Sequence, residues 1–181
     1  MIITALALCG CESLDLSWDD VLGKSASGES EKKDGKFEPK YVLTFHLIVE
    51  YPRAEEIEKM ITTFDGKKVW INTNFLAHTR DIKQVKLVER KGEKDFYDLA
   101  LQLDKRGKMK WIQLTAHSRH SEIAILLDGV YHSQFTPEVI SNEDVEWIII
   151  PGPFDPVSAK GIVKYAQKNY EFYNPDINRI F

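Results

Sequence analysis

Cysteine is nearly absent. The chain has two, Cys9 and Cys11, and none beyond. From residue 12 onward it therefore holds neither a disulfide framework nor a cysteine-ligated metal. A bridge between the two is also disfavoured, because side chains at i and i+2 of a strand point to opposite faces. No run of about 18 apolar residues occurs, so no segment reads as a membrane-spanning helix. A cationic excess is missing as well: the net charge is −4, which argues against non-specific nucleic-acid binding. There is no phosphate-binding loop, dinucleotide fingerprint, G-x-S-x-G or HExxH pattern. What remains is a chain of 181 residues, 43% hydrophobic and 29% charged, enough for one domain with a core and an appendage.

The two cysteines end the apolar run "MIITALAL". Leu8-Cys9-Gly10-Cys11 resembles the lipobox of bacterial lipoproteins, with Cys11 as the lipidated residue and Cys9 as the alternative. Residues 1–11 then read as a signal-peptide remnant, although no Lys or Arg precedes Lys24 where a signal peptide carries positive charge. The other reading is a buried strand over residues 2–9. Residues 12–40 include "KSASGESEKKDGKFEPK", too polar to offset the entropy of ordering. They read as a flexible tether, or else as a solvated loop. Tether and anchor together imply a lipid-anchored protein of the bacterial cell envelope, facing the periplasm or the cell exterior.

The folded part is expected over residues 41–173, with 174–181 as a C-terminal tail. "YVLTFHLIVEY" is β-rich. "RAEEIEKMITTF" places Ala54, Ile57, Met60, Ile61 and Phe64 on one helical face. Strands follow at "KKVWIN", "DIKQVKLVER" and "FYDLALQLD", the last two joined by the loop "KGEKD". "KMKWIQLTAHS" suits a short helix. "IAILLDGVYHSQF" reads as a hairpin turning at Asp128-Gly129, since a two-residue type I′ turn needs positive φ at both central positions. "VEWIII" is a further strand, stopped by Pro151-Gly152-Pro153. Asp155-Pro156 caps a last helix, with Val157, Ile162, Tyr165, Ala166 and Tyr170 turned inward. Hairpins with irregularly spaced helices indicate α+β rather than a parallel array.

Chemistry-bearing constellations are sparse. His117 and His120, three apart at the end of a helix, have metal-ligand spacing, but no third ligand accompanies them, so no metal and no cofactor are expected. Asp81, Asp98, Asp104, Asp128 and Asp144 sit at turns and strand ends, where turn chemistry accounts for them. Trp70, Trp111 and Trp147 are interspersed with apolar partners and read as core packing.

The order of motifs over residues 111–166 resembles the head part of the first large periplasmic domain of SecD, a component of the SecDF protein-export system. The matching residues are Trp111, Leu114-Thr115, then Ala124-Ile125-Leu126-Leu127-Asp128-Gly129, Pro137, Val139-Ile140, Ile150-Pro151-Gly152-Pro153-Phe154 and Ala159. Asp81-Ile82 matches an Asp-Ile opening the preceding strand. The resemblance covers residues 76–172. It implies a ferredoxin-like α+β sandwich, mainly antiparallel, with helices on one face, and a structural role for Leu114, Thr115, Ala124, Asp128, Gly129, Gly152, Phe154 and Ala159. SecD carries this domain on membrane helices that couple proton flow to pulling on exported chains. Nothing in this sequence supplies such helices, so only the soluble module is implied. The expected function is a non-enzymatic module that binds a protein or peptide partner in the envelope and has no nucleic-acid role. An enzyme on the same scaffold and a structural subunit of an envelope complex are the alternatives.

Overall fold

The strand expected at residues 41–51 is β1, Leu43–Val49, in a computed structural model that describes residues 37–90, 92–93, 95–117, 121–140 and 145–175. Then come β2 (Glu58–Thr62), β3 (Lys68–Asn72) and β4 (Ala77–His78), a 3-10 turn at Thr79–Asp81, β5 (Ile82–Glu89) and β6 (Tyr97–Leu103). They are followed by α1 (Lys105–His117), β7 (Ile123–Leu127), β8 (Val130–Phe135), β9 (Ile148–Phe154) and α2 (Pro156–Tyr173). The class is α+β, with antiparallel sheets and two packed helices. The strands divide between two sheets. One has the order β2-β3-β1-β7-β8, with β4 also on β1; the other is β5-β6-β9.

β1 is paired along both sides. β7 lies on one, in the register Phe45↔Ile125. β4 and β3 follow each other along the other, through Thr44↔His78 and Ile48↔Ile71. Val42 to His46 are all buried and Leu47 to Val49 half-buried, because packed layers cover both faces of the sheet at its start. Leu43 and Phe45 face the main core. There they meet Ile123 and Ile125 of the same sheet, Leu99, Leu101, Ile148 and Ile150 of the second sheet, Trp111 of α1, and Ala159, Ile162 and Ala166 of α2. Phe45 and Trp111 pack edge to face with centroids 5.5 Å apart, a preferred aromatic geometry. On the opposite face a smaller core gathers Ile71, Ala124 and Leu126 with Ile48, Ile61 and Tyr131.

The Asp128-Gly129 turn has φ of 47° and 80°, both positive as a type I′ turn requires. Asp128 also does more than turn the chain. Its carboxylate accepts Val42 N–H at 2.7 Å and Tyr41 N–H at 3.2 Å, and its own N–H donates to Val42 O at 2.9 Å. The hairpin tip thereby fixes the start of β1. It holds Tyr41 at φ 56°, an unusual conformation for a residue with a Cβ. The Tyr41 ring stacks on Tyr165 at 5.7 Å. It lies so close to α2 that a Cβ on Gly161 would sit 2.4 Å from it. Residues 37–40, placed in the tether by composition, lie against α2: Phe37 contacts Phe172, and Asn169 bonds both backbone groups of Lys40.

Three local expectations are corrected. Residues 53–64 do not form a helix; a turn at 55–57 leads into β2. The apolar spacing fitted a helical face, but the β-branched run Ile61-Thr62-Thr63 and the Asp65-Gly66 turn (Gly66 φ 79°) build a β2–β3 hairpin instead. β9 is not stopped at Pro151 but continues to Phe154. It is the end strand of its sheet, where proline is tolerated because no outer ladder bond is lost. Gly152 N–H there donates to the Asp98 side chain at 2.6 Å, beside a register shift in β6. Val157 is exposed rather than inward. It stands in the first turn of α2, whose cap is the expected one: Asp155 accepts Val157 N–H and Ser158 N–H.

Replacing Gly129 by Val forces a β-branched residue into the left-handed region and is expected to destabilise the domain by about 1–3 kcal/mol. Asp128→Ala leaves the Tyr41 and Val42 amides without their acceptor and is expected to cost about 1–3 kcal/mol. Asp128→Asn, which keeps the turn and one acceptor oxygen, should cost less. Urea unfolding of the three variants gives the order directly.

Candidate functional site

Four of the eleven exposed large hydrophobics among the described residues lie on the β2–β3 hairpin and the chain leading to it. Tyr51 is 75% exposed, Phe64 76%, Met60 49% and Ile57 41%. The hairpin is amphipathic across its two faces. Ile61 and Ile71 turn into the smaller core, while Met60 sits opposite Trp70 on the other face. At the turn, Phe64 packs edge to face on Tyr131 of β8 at 6.1 Å, and Lys67 pairs with Asp65 at 2.7 Å. The hydrogen bonds from Lys67 and Thr63 hold the Asp65 carboxyl down at about 2.

β2 ends the order of its sheet. Its bonding to β3 fixes which backbone groups are spent. Thr73 N–H donates to Ile57 O and Thr63 N–H to Lys67 O, so odd-numbered residues of β2 face β3. In an antiparallel ladder the even-numbered ones then point their N–H and C=O outward. Glu58 N–H is taken by Ala54 O. Met60 and Thr62 present their backbone groups along the free edge, and among the described residues no strand pairs there.

Beside the start of β2 lies an open cleft of about 620 Å³ at the end of β1, lined by Glu50, Tyr51, Arg53, Glu58, Asn72 and Glu122 among others. Glu58 accepts the N–H groups of Ala54 and Arg53, and these bonds lower its pKa. Its carboxylate thus shapes the bend into β2. Glu122 accepts from Gln134 at 3.0 Å.

The buried polar groups lie deeper and are closed off. His46 bonds Asn72 O through Nδ1 at 2.8 Å and Thr44 Oγ1 through Nε2 at 3.0 Å. His46 and Thr44 are buried, while Asn72 also lines the cleft, and the link ties β1 to β3. His78 accepts Arg80 N–H at Nδ1 and packs against Phe75 and Tyr173. Asp81 is fully buried under Arg106 at 3.2 Å and Lys110 at 3.5 Å, with Arg80 at 3.9 Å. This network joins the 3-10 turn to α1, and Asn174, bonded to Arg80 O at 2.8 Å, adds the end of α2.

The residues singled out from the sequence are dispersed rather than gathered. Leu114 and Thr115 are buried in α1, Thr115 Oγ1 bonding Ile112 O and Ile140 N–H. Ala124 lies in the smaller core, Phe154 and Ala159 in the main one. Phe154 stacks on His132 at 4.3 Å. A Cβ on Gly152 would lie 2.2 Å from Tyr97 O. His117 ends α1; its side chain, His120, Cys9 and Cys11 lie outside the described residues. Among the described residues no group of three potential ligands is placed to hold a metal. The exposed β2 edge escaped sequence reasoning because that segment read as a helix. The signal present was the β-branched run before Asp65-Gly66.

The described chain is thus an α+β fold of two antiparallel sheets and two helices, without a helix long and apolar enough to cross a membrane among the described residues. This fold is SecD-like. Among solved structures the chain is similar to SecDF in its super-membrane-facing form, with a TM-score of 0.50 and 18% identity over 70% of this chain and 18% of that one. It is similar also to a structure described as a membrane component SecDF that enhances protein export, with a TM-score of 0.49 and 18% identity over 71% of this chain and 63% of that one. The chain therefore spans less than two thirds of either. No family model matches the sequence, and no curated protein does.

The histidines make stability depend on pH. Burial, followed by the Arg80 charge, lowers His78 to about 4, and burial lowers His46 and His132. Between an unfolded value near 6.5 and these lower folded values, the unfolded chain takes up protons that the native one refuses. Stability is therefore complete above about pH 6.5 and falls with acidification towards pH 4, His78 contributing roughly 3 kcal/mol of the loss. Thermal melting should drop across this window, and His78→Gln should flatten the dependence.

Proposed function

We propose that the chain is a non-enzymatic polypeptide-binding module of the bacterial cell envelope, in which the outer edge of β2 takes an extended segment of a partner protein by β-addition. The observation that carries this reading is the pairing of unspent backbone groups at Met60 and Thr62 with exposed Met60, Ile57, Phe64 and Tyr51 around them. Backbone bonds along a free edge supply affinity without demanding a sequence, and flanking apolar side chains add to it. A long exposed edge with apolar neighbours is otherwise an aggregation liability. The likeness of fold to SecDF supports a link to protein export. In this reading Cys11, or alternatively Cys9, carries a lipid, the chain from residue 12 to the residues 37–40 that pack on α2 is the tether, and the domain faces the periplasm or the cell exterior.

The edge is tested by Thr62→Pro. The Thr62 N–H faces outward, so proline there removes a donor from the free edge and leaves the bonds to β3 in place. Binding of a carboxymethylated, permanently unfolded polypeptide, followed by fluorescence anisotropy, should weaken by about tenfold or more, with the melting temperature little changed. Met60→Lys should act in the same direction. Unchanged binding in both variants removes the edge from consideration.

The anchor is tested separately. Intact mass spectrometry of the protein from its native membrane should show an acylated N-terminal Cys11, since stable anchoring takes more than one acyl chain. Unmodified protein in the soluble fraction contradicts it.

A further inference from the structure

The 3-10 turn Thr79–Asp81 joins four elements. Thr79 Oγ1 accepts Leu43 N–H at 2.6 Å and donates to Leu43 O at 3.2 Å, at the start of β1. Asp81 O accepts Asp104 N–H at 2.9 Å, just after β6, and the Asp81 carboxylate pairs with Arg106 and Lys110 of α1. Arg80 O accepts the Asn174 side chain at 2.8 Å, at the end of α2. The turn is capped by one side chain, His78, whose Nδ1 accepts Arg80 N–H at 2.9 Å. A ring nitrogen that accepts from a backbone N–H carries no proton of its own, so the cap exists only for neutral His78 with its proton on Nε2. Serine, threonine or asparagine caps without this condition. The imidazole is buried, met edge to face by Tyr173 at 4.8 Å and lying beside Phe75 at 5.1 Å. Phe75 in turn carries the Arg80 guanidinium over its ring at 4.7 Å. Among the described residues the charged and titratable groups facing His78 are Arg80 and Asp81 of the turn, His46 of β1 and Lys110 of α1, with Tyr173 from α2. Burial opposes an imidazolium there most, Arg80, His46 and Lys110 oppose it further, and Asp81 alone favours it.

We infer that His78 is an acid-operated latch: its protonation uncaps the 3-10 turn and frees the start of β1, the end of α2 and the Asp81 network locally, before the sheets unfold. A proton on Nδ1 faces the Arg80 N–H, two donors across one bond, and sets a cation beside the Arg80 guanidinium. The imidazolium is relieved when the ring leaves its pocket, which takes His78 out of its pairing with Thr44 of β1. β4 is two residues long, so its departure breaks few bonds, as in other local openings. The sign follows from linkage. His78 titrates at about 4 in the closed turn and near 6.5 once exposed. The latch is therefore fully closed above about pH 6.5 and opens as the pH falls towards 4. From pH 7 to pH 5 the open population rises about twentyfold. This opening is distinct from the global loss of stability, to which His46 and His132 also contribute, and it is independent of the β2 edge and of any acyl anchor.

Native-state amide hydrogen exchange of the full chain, followed by NMR and corrected for intrinsic rates, reads the opening residue by residue. The amides of Arg80, Leu43 and Asp104 donate to the cap, to the Thr79 hydroxyl and to Asp81 O. Their protection should fall about twentyfold from pH 7 to pH 5. It should depend little on dilute urea, because a local opening exposes little surface. Amides at the centre of β7, which lies between β1 and β8, should stay more protected and follow urea with the global slope. His78→Asn keeps an acceptor for Arg80 N–H and does not titrate, so the fall at those three amides should vanish. The nitrogen shifts of the wild-type imidazole test the premise without any variant: Nδ1 bare and Nε2 protonated at pH 7, with titration near pH 4. Three results would each overturn the inference: exchange of the three amides only with the global urea slope at pH 5, an unaltered fall in His78→Asn, or a proton on Nδ1 at pH 7.

Discussion

The fold depends on β1 being enclosed. It is paired on both sides and buried on both faces, so every polar group it carries has to be answered from within the protein. Its start is held by the Asp128 carboxylate. Thr79 Oγ1 accepts Leu43 N–H at 2.6 Å, and His46 closes the link between Thr44 and Asn72. These are contacts between segments far apart in the chain, and they bring the β7–β8 hairpin, the 3-10 turn and the β2–β3 hairpin into position around one strand. Phe45, on the same strand, is at the centre of the main core.

Enclosing one strand leaves other edges to be managed, and the ends of the two sheets differ. β9 carries Pro151 and Pro153, which cannot donate to an added strand. β5 carries exposed Lys83 and Lys86, the latter lying over the Trp147 ring at 3.8 Å; charged side chains of this kind discourage pairing. β2 has Met60 at its middle and apolar exposed residues before and after it. Its inner face is committed to the smaller core through Ile61, so the hairpin is a supported platform rather than a loose arm.

Charge is segregated in the same way. The cleft at the end of β1 is lined by Glu50, Glu58 and Glu122 with Arg53, whereas lysines dominate the cleft beside α1. Among the described residues a modest net charge thus goes with two clefts of different lining, one mostly acidic and one mostly basic. The buried Asp81 network sits between the basic helix and the 3-10 turn. It answers Arg106 and Lys110 of that helix.

Much of the architecture was legible in local chemistry. Asp128-Gly129 specifies its turn because few residue pairs accept positive φ twice. Asp155-Pro156 specifies the start of α2 because the cap and the proline at the first position each satisfy a local requirement. The motif order around Ala124, Gly152 and Ala159 carried the SecD-like resemblance, and α+β followed from hairpins mixed with helices. Tertiary structure decided the rest. Apolar spacing over residues 53–64 is compatible with a helical face and with a strand, and only pairing with β3 chose between them. Asp128 reads as a turn residue until β1 arrives to use its carboxylate. Asp81 reads as the start of a strand until Arg106 and Lys110, on α1 beyond β5 and β6, close over it. A sequence encodes the conformational preferences of neighbours, and the free edge of β2 and the grouping of lysines beside α1 arise only when distant segments are brought side by side.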